Sequence, residues 1–231
     1  MVDPGKLAAA KAAVAEVEDG MALGLGTGST AALMVDALAE RVAAGLTVIC
    51  VTTSSVTEAQ AKGLGIPLST LEDTPRLDLT IDGADEIAPD LSLIKGAGGA
   101  LLQEKIVAAC SARMLVIADA TKEVVELGAF KLPVEIVRFG WQTTQTRVAD
   151  LLADQGYDAP PIALRMRDGA PYVTDEGNLL LDLSLGRIPD PAALDRDLNA
   201  LPGVVETGLF TGLASAAILG LPDGTIRRLP G

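Results

Sequence analysis

The stretch KGAGGALLQE, residues 95–104, sets a lysine, three glycines and a glutamate close together in a chain that has no histidine. Histidine most often moves protons near neutral pH, so a proton-transfer enzyme of this composition must use a carboxylate, a lysine or a cysteine. Glu104 is our candidate general base. An aliphatic pocket raises the pKa of a glutamate, whereas Lys95 and a helix N-terminus lower it, and the sequence leaves that balance open. The ordinary alternative is a surface helix glutamate paired with a lysine.

A second acidic motif, DGADE at residues 82–86, follows an apolar stretch. Asp82 ends a predicted strand, which places it at the edge of a sheet where ligands bind. Gly83 allows backbone N–H groups to face a ligand beside Asp82 and Asp85. Two other interpretations stay open, because such a motif is also typical of a solvated turn and because carboxylate oxygens suit hard cations such as magnesium.

The motif GLGTGST, residues 24–30, follows a predicted strand and opens a predicted helix. Glycines and hydroxyl side chains make up most of it, and they are Gly24, Gly26, Thr27, Gly28, Ser29 and Thr30. Backbone N–H groups at such a helix N-terminus can bind phosphate. The spacing matches neither the dinucleotide pattern G-x-G-x-x-G nor a P-loop. A tight turn with a Ser or Thr cap is an equally good interpretation.

Three other side chains carry weaker signals. Lys122, in the stretch DATK, follows a predicted strand and would either bind a phosphate or hydroxyl group or simply begin a helix. Cys110 is the weakest candidate nucleophile, because it has no histidine base and lies in an apolar run. Cys50 lies in a similar run, and we predict that both thiols are buried and reduced.

The elements that would position these groups alternate between strand and helix patterns over the first 130 residues. The strand patterns end in polar clusters, which are GTGST, TTSS, DGADE and DATK. This order predicts an α/β fold with a Rossmann-like, doubly wound, mainly parallel sheet, in which ligands bind beyond the carboxyl ends of the strands. The four clusters would then share one edge and form one site.

Beyond residue 130 the order becomes strand, helix, strand, strand, helix, which predicts a second, smaller α+β unit. The last apolar runs, VVETGLF, SAAILG and TIRRL, are predicted to rejoin the first sheet. We therefore predict a discontinuous Rossmann-like catalytic domain, residues 1–130 plus 206–231. The small α+β domain, residues 131–205, is expected at an oligomer interface.

The composition narrows the classes of partner. A formal charge of −13 argues against nucleic acid, because phosphate backbones demand clustered lysine and arginine. No segment approaches the roughly 20 apolar residues that cross a bilayer, and the N-terminus has no signal-peptide pattern. Two cysteines without histidine argue against a zinc site. From composition we expect a cytoplasmic protein with no zinc site, no nucleic-acid partner and no membrane partner.

Taken in order, the motifs GLGTGST, TTSS, IDGADE and KGAGGALLQEK resemble the type A ribose-5-phosphate isomerases. The resemblance continues through IADATK, LPVEI, VTDEGN with DLSLG, and PGVVETGLF, and it covers essentially the whole chain. It implies interconversion of D-ribose 5-phosphate and D-ribulose 5-phosphate in the non-oxidative branch of the pentose phosphate pathway. It further implies a homodimer or homotetramer that needs no cofactor and no obligatory metal.

The resemblance also implies roles for individual residues. Those implied to be catalytic are Glu104 as the proton-transferring base, Asp82, Asp85 and Lys95. Those implied to bind the sugar phosphate are Lys6, Thr27, Gly28, Ser29, Thr30, Asp82, Gly83, Ala84, Asp85, Lys95, Gly96, Ala97, Gly98 and Lys122. The stretch FTGLASAAILG, residues 210–220, departs from the polar NRA-like stretch of relatives, so no site residue is assigned there.

Other functions share some of these features. A deaminase or a lactonase acting on another sugar phosphate could use a related scaffold, although a deaminase usually enlists a histidine. A sensor of sugar phosphates would have no need of Glu104. A coenzyme A transferase would form a glutamyl thioester that hydroxylamine traps. A metal-dependent isomerase would lose its activity in chelator, whereas we expect this chain to keep it.

Overall fold

The computed structural model describes residues 3–230, which form two compact units. The first unit comprises the described residues up to Ala84, Gln103–Glu123 and the described residues from Gly212 onward. The second unit comprises Asp85–Leu102 and Val124–Thr211.

Helices and short strands alternate along most of the described chain. The α-helices are α1 (Pro4–Val14), α2 (Ser29–Ala43), α3 (Ser55–Gly63), α4 (Leu101–Ala109), α5 (Trp141–Asp154) and α6 (Pro191–Asn199). The strands are β1 (Ala22–Leu25), β2 (Ile49–Thr52), β3 (Leu79–Asp82), β4 (Glu86–Ile87), β5 (Leu93–Ile94), β6 (Met114–Asp119), β7 (Leu132–Ile136), β8 (Ile162–Leu164), β9 (Met166–Arg167), β10 (Ala170–Pro171), β11 (Leu179–Leu183), β12 (Val204–Thr207), β13 (Leu209–Phe210), β14 (Ala214–Gly220) and β15 (Ile226–Pro230). A short 3₁₀ helix, Ala120–Lys122, follows β6. Within residues 3–230, no helix is both long enough and apolar enough to cross a membrane.

The first unit is built on a six-stranded sheet with the strand order β15-β14-β6-β3-β1-β2. Four neighbouring pairs of this sheet are parallel, and they are β14-β6, β6-β3, β3-β1 and β1-β2. The edge strand β15 is antiparallel to β14. The predicted α/β fold with a mainly parallel sheet is therefore confirmed.

Strand β1 shows that helices cover both faces of this sheet. Leu23 and Leu25 are buried in an apolar cluster that contains residues of α1 and α2. Gly24 lies between them and faces the opposite side, because successive residues of a strand alternate in direction. A Cβ atom at Gly24 would overlap Thr80 Oγ1 and lie 2.6 Å from Val107 Cγ1 of α4. The arrangement is thus doubly wound, as the sequence predicts.

The two cysteines are free thiols in different surroundings. Cys50 on β2 is fully buried, and burial raises the pKa of its thiol to about 12. A thiol that stays protonated is a poor nucleophile and a poor metal ligand. Cys110 is only half-buried. The prediction of a buried thiol is confirmed for Cys50, whereas Cys110 keeps partial exposure.

The second unit contains smaller sheets. Their strand orders are β12-β7-β11-β8, β13-β5-β4 and β10-β9. The pairs within the first of these sheets are antiparallel. Its apolar side chains share a buried cluster with α5 and α6, and the cluster includes Val134, Ile136, Leu181, Val148, Leu152, Leu194 and Leu198. This mixture of antiparallel strands and two helices agrees with the predicted α+β character of the later chain.

The prediction that VVETGLF rejoins the first sheet is wrong. Its residues form β12, which pairs antiparallel with β7, and β13, which pairs with β5. Gly208, between these strands, donates to Pro133 O (2.7 Å) and accepts from Lys95 N (2.9 Å), so the backbone hydrogen bonds of this segment lie in the second unit. SAAILG and TIRRL do rejoin the first sheet as β14 and β15. The predicted domains, 1–130 plus 206–231 and 131–205, stay a prediction.

A carboxyl group is fully buried in the four-stranded sheet. Glu135 Oε1 on β7 accepts hydrogen bonds from Thr174 Oγ1 and Asn178 Nδ2, each at 2.9 Å. Burial raises the pKa of this carboxyl above its ordinary value, the two hydrogen bonds act to lower it, and the charges of Glu176 and Glu206 add to the rise. Folding therefore disfavours the ionised form of the Glu135 carboxyl relative to its protonated form.

The close approach at Gly24 predicts a cost for one methyl group. Gly24→Ala should lower the free energy of unfolding by about 1–3 kcal/mol, because the new Cβ overlaps Thr80 and crowds Val107 in a packed core. Gly63→Ala is the matched control, since that glycine is helical and has no atom within 4 Å of an added Cβ. Urea denaturation of both variants measures the difference. Equal stability of the two variants would contradict this packing.

The buried carboxyl predicts a pH-dependent stability. Because the pKa of Glu135 is raised, the wild type loses stability as the pH rises from the ordinary value of 4.5 through the folded-state pKa. Glu135→Gln removes this titration and keeps an oxygen that can accept from Thr174 and Asn178. The Tm of the variant relative to wild type should increase between about pH 4 and about pH 8, as followed by thermal unfolding. A difference that stays flat or falls over this range contradicts the raised pKa.

Candidate functional site

The carboxyl ends of four parallel strands bring the polar clusters of the first unit to one edge of its sheet. GTGST follows β1, TTSS follows β2, Asp82–Ala84 ends and follows β3, and DATK ends β6. Ligands of open α/β sheets bind at this edge, where the loops leave the strands. The predicted convergence of the clusters is therefore present within the first unit.

The carboxylate of Asp82 links two of these loops. Its Oδ1 atom accepts a hydrogen bond from Thr27 N at 3.1 Å and another from Gly83 N at 2.7 Å. Asp82 is fully buried. A Cβ atom at Gly26 would overlap Asp82 Oδ1, so only glycine allows the loop after β1 to approach this closely. Glycine is needed here for space.

A cluster of hydroxyl groups fixes the Thr27 side chain. Thr27 Oγ1 lies 2.8 Å from Thr53 Oγ1, 2.7 Å from Ser54 Oγ and 3.1 Å from Thr57 Oγ1. Thr57 Oγ1 in turn donates to Gly26 O at 3.0 Å. Thr53, Ser54 and Thr57 are buried, and the sequence signalled only that TTSS is polar. Their part in holding the Thr27 loop was missed, because hydroxyl pairing between loops cannot be read from spacing along the chain.

The N-terminus of α2 is open to a ligand. Gly28 occupies the N-cap position of the helix with a φ of 116°. Because glycine has no side chain, no side-chain hydrogen bond caps the helix from this position. The alternative of a turn with a Ser or Thr cap is therefore wrong. The first N–H groups of a helix lack intrahelical partners and carry a partial positive charge. Lys6 brings a full positive charge to this helix end, where its Nζ donates a hydrogen bond to the exposed Ser29 Oγ at 3.0 Å.

Two lysines and a hydroxyl surround the carboxylate of Asp119 at the end of β6. Lys6 Nζ lies 3.8 Å from Asp119 Oδ2, and Thr121 donates to Oδ1 through both its N–H and its hydroxyl group. Partial burial acts to raise the pKa of Asp119, but the bonds from Thr121 and the charges of Lys6 and Lys122 hold it below its ordinary value. The carboxylate thus stays ionised and partly balances the charges of Lys122 and of Lys6, which lies at the α2 N-terminus.

Glu104 lies in the first turn of α4 and is only 4% exposed. The alternative of a surface glutamate is therefore wrong. Val107 lies three residues later on the same face of the helix and packs against Gly24 of β1. Glu104 consequently faces the sheet, and its Oε2 atom is buried.

The remaining predicted residues belong to the second unit. Asp85 Oδ2 accepts a hydrogen bond from Ala97 N at 2.9 Å, and Asp85 is half-exposed. Lys95 is only 2% exposed, and its Nζ lies 5.4 Å from the centre of the Phe210 ring. Gly96 has a φ of 101°, a conformation that glycine favours. The bond from Ala97 N therefore ties the glycine-rich stretch to Asp85.

The structure distributes the predicted residues over the two units. In the first unit it brings together the α2 N-terminus, Asp82 and the lysines beside Asp119, and it buries Glu104 against the sheet. In the second unit it joins Asp85 to the KGAGG stretch. Within residues 3–230, no three His, Cys, Asp or Glu side chains form a group that could hold a metal ion.

Comparison with known proteins gives consistent matches over nearly the whole chain. The family model for ribose 5-phosphate isomerase A (phosphoriboisomerase A) matches residues 49–224. Ribose-5-phosphate isomerase A of Dinoroseobacter shibae is 54% identical over 97% of this chain and 87% of its own. Ribose 5-phosphate isomerase from Plasmodium falciparum superposes with a TM-score of 0.94 at 35% identity, over 100% of this chain and 99% of that one. A D-ribose-5-phosphate isomerase in complex with phospho-erythronic acid gives a TM-score of 0.91 at 33% identity, over 100% of both chains.

The environment of Lys6 predicts a test with inorganic phosphate. Lys6→Met should weaken phosphate binding about tenfold or more, because a hydrogen bond from a charged donor contributes about 1.5–3 kcal/mol. The measurement is the rise in Tm on adding phosphate, relative to chloride at equal ionic strength. Lys11→Met is the matched control, since Lys11 is an exposed lysine of the same helix. If both variants respond to phosphate as the wild type does, Lys6 has no part in an anion site.

Proposed function

The chain belongs to the ribose 5-phosphate isomerase A family, and we propose that it interconverts D-ribose 5-phosphate and D-ribulose 5-phosphate through a cis-enediolate, with Glu104 as the base. The observation that carries the proposal is the burial of Glu104 against the sheet in a chain without histidine. Without histidine, a carboxyl group held inside the protein is the best candidate to exchange a proton with carbon.

The open N-terminus of α2 supports a phosphate-binding role. Gly28 leaves the first helical N–H groups available, and Lys6 lies beside Ser29 with its ammonium group. These groups supply local positive charge in a protein of net charge −13. Binding the phosphate, which is remote from the reacting carbons, would fix the sugar and so use binding energy to orient C1 and C2.

The proposed proton transfer balances as follows. Glu104 removes the proton from C2 of the open-chain aldose, and the electrons move to the aldehyde oxygen to give the enediolate. The same carboxyl group returns a proton to C1, on the same face, while the O2 hydroxyl loses its proton and becomes the ketone carbonyl. The O1 oxygen gains the proton that O2 releases. One carboxyl group can serve both carbons because they are adjacent.

Lys95 and the aspartates are proposed to assist at the oxygens. Lys95 is buried, and an ammonium group in a dry environment stabilises a developing oxyanion more strongly than it does in water. Asp82 Oδ1 already accepts two backbone hydrogen bonds and is buried, whereas Asp85 is half-exposed. This difference favours Asp85 for opening the sugar ring and Asp82 for holding the Thr27 loop.

The solved relative bound to phospho-erythronic acid agrees with this chemistry. A sugar acid phosphate combines a phosphate with a planar, negatively charged carboxylate. Planarity and negative charge are also the features of a cis-enediolate, and groups that stabilise a transition state of this kind bind such an acid well.

The proposal predicts that Glu104→Gln lowers kcat by about 10³-fold or more, because the amide cannot accept the C2 proton. KM should change little, since the amide preserves the size of the side chain. The measurement is ribulose 5-phosphate formation from ribose 5-phosphate under steady-state conditions. Glu58→Gln, on the exposed surface of α3, is the control and should retain wild-type kcat.

Two results would count against the proposal in different ways. A Glu104→Gln variant that turns over within about tenfold of the wild type would remove Glu104 from the role of base. A folded wild-type protein that forms no ribulose 5-phosphate would contradict the reaction itself.

A further inference from the structure

Three consecutive carbonyl groups of the KGAGG stretch are held by two side chains from residues 165–172 of the same unit. Arg165 Nη1 donates to Gly96 O at 2.8 Å and to Ala97 O at 3.1 Å. Tyr172 Oη donates to Gly98 O at 3.2 Å. Each of these peptide units therefore has its oxygen end fixed by a side chain that lies far away in the sequence.

Asp182 holds Arg165 so that one nitrogen remains for the carbonyls. Arg165 Nε donates to both oxygens of Asp182, at 3.0 and 3.2 Å, and Nη2 donates to Oδ1. Both side chains are largely buried, at 14% and 13% exposure. The two hydrogens of Nη1 then match the two carbonyl oxygens, Gly96 O and Ala97 O. A guanidinium group is rigid and planar, so this division of donors is fixed.

The backbone places Arg165 and Tyr172 side by side. Arg165 N donates to Leu180 O at 2.8 Å, and Tyr172 N donates to Arg165 O at 2.9 Å. The guanidinium carbon of Arg167 lies 4.2 Å from the centre of the Tyr172 ring. A Cβ atom at Gly99 would overlap that ring, so the Tyr172 ring lies directly against the loop.

Fixing the carbonyls also fixes the N–H groups of the loop. In a trans peptide the C=O of one residue and the N–H of the next point in opposite directions, and the described peptide bonds are trans. The carbonyl of Gly96 turns toward Arg165, and the N–H of Ala97 accordingly turns away and donates to Asp85. The carbonyl of Ala97 does the same for the N–H of Gly98. Arg165 thereby turns the N–H groups of Ala97 and Gly98 away from itself, to the side on which Asp85 lies. The N–H of Gly99 instead donates to Gly96 O at 3.0 Å and closes a turn.

We propose that Arg165, anchored by Asp182, is a positioning residue that sets the orientation of the peptides from Gly96 to Gly98 for substrate binding. The inference rests on the proposed function, in which this loop and its first residue, Lys95, bind the sugar phosphate. Arg165 acts through the loop and makes no contact with the substrate itself. A lysine in its place could still pair with Asp182, but it could not keep that pair and reach two carbonyl groups.

The test compares Arg165→Lys with Arg196→Met. Arg196 is an exposed arginine of the same unit that pairs with its neighbour Asp197, so it controls for loss of a surface ion pair. Arg165→Lys should lower kcat/KM for ribose 5-phosphate by about 100-fold, because small displacements of groups that orient a substrate have costs of this size. Its Tm should stay near that of wild type, and hydrogen–deuterium exchange should accelerate at the amides of residues 97–99. Arg196→Met should leave kcat/KM, Tm and exchange at residues 97–99 at their wild-type values.

A stably folded Arg165→Lys variant with wild-type kcat/KM and wild-type exchange at residues 97–99 would overturn the proposal. So would a loss of activity matched by a general rise in exchange across the second unit, because that pattern marks a merely structural ion pair. If Arg165→Lys does not fold, Asp182→Asn decides instead. Asp182→Asn should lower kcat/KM less than Arg165→Lys does and should accelerate exchange only at residues 97–99. Wild-type kcat/KM and wild-type exchange in this variant would overturn the proposal that Arg165, anchored by Asp182, positions the loop.

The exchange measurement separates this inference from the proposed function. If the wild type forms no ribulose 5-phosphate, the proposed function fails, but the orientation of the loop can still be judged. Selective loss of protection at residues 97–99 in Arg165→Lys would then support the positioning role. Unchanged protection would overturn it.

Discussion

The site in the first unit depends on the hydrogen bonds of one buried carboxylate. Asp82 Oδ1 accepts from the N–H groups of Thr27 and Gly83, and so ties the loop after β1 to the end of β3. A buried anion is costly unless donors surround it, and these N–H groups supply the donors. The arrangement requires glycine at position 26, and it sets the path by which the chain reaches Gly28 and enters α2. The open helix N-terminus follows from that path.

A second constraint is the absence of histidine, which leaves proton chemistry to carboxylates and lysines. The structure gives these groups different surroundings. Glu104 and Lys95 are buried, whereas Asp119 is kept ionised by Thr121 and the two lysines near it. Glu135 has no proposed catalytic role, but its surroundings also shift its pKa. Burial raises the pKa of this carboxyl in the core of the second unit. Asp119 and Glu135 show that surroundings, more than residue type, set the pKa of a carboxyl group in this protein.

The sheet and its ligand-binding edge could be predicted from the sequence, because both depend on local sequence patterns. The alternation of strands and helices predicts the parallel sheet, and the polar residues after each strand predict its ligand edge. Other features depend on tertiary packing and could not be predicted. VVETGLF has the same apolar pattern as the strands that join the first sheet, yet it pairs with β7 and β5. The burial of Glu104, the hydroxyl groups around Thr27 and the hold of Arg165 on the glycine loop all join segments distant in sequence.

We propose that carboxyl groups isomerise the sugar phosphate without a metal ion. The most direct test is to incubate metal-depleted wild-type protein with ribose 5-phosphate in D₂O containing excess EDTA, and to follow C1 of the product by NMR. We expect undiminished turnover with deuterium entering C1 in a single stereochemical position, because one base delivers the proton to one face. Turnover that requires added metal, or deuterium in both positions of C1 at early times, would contradict it.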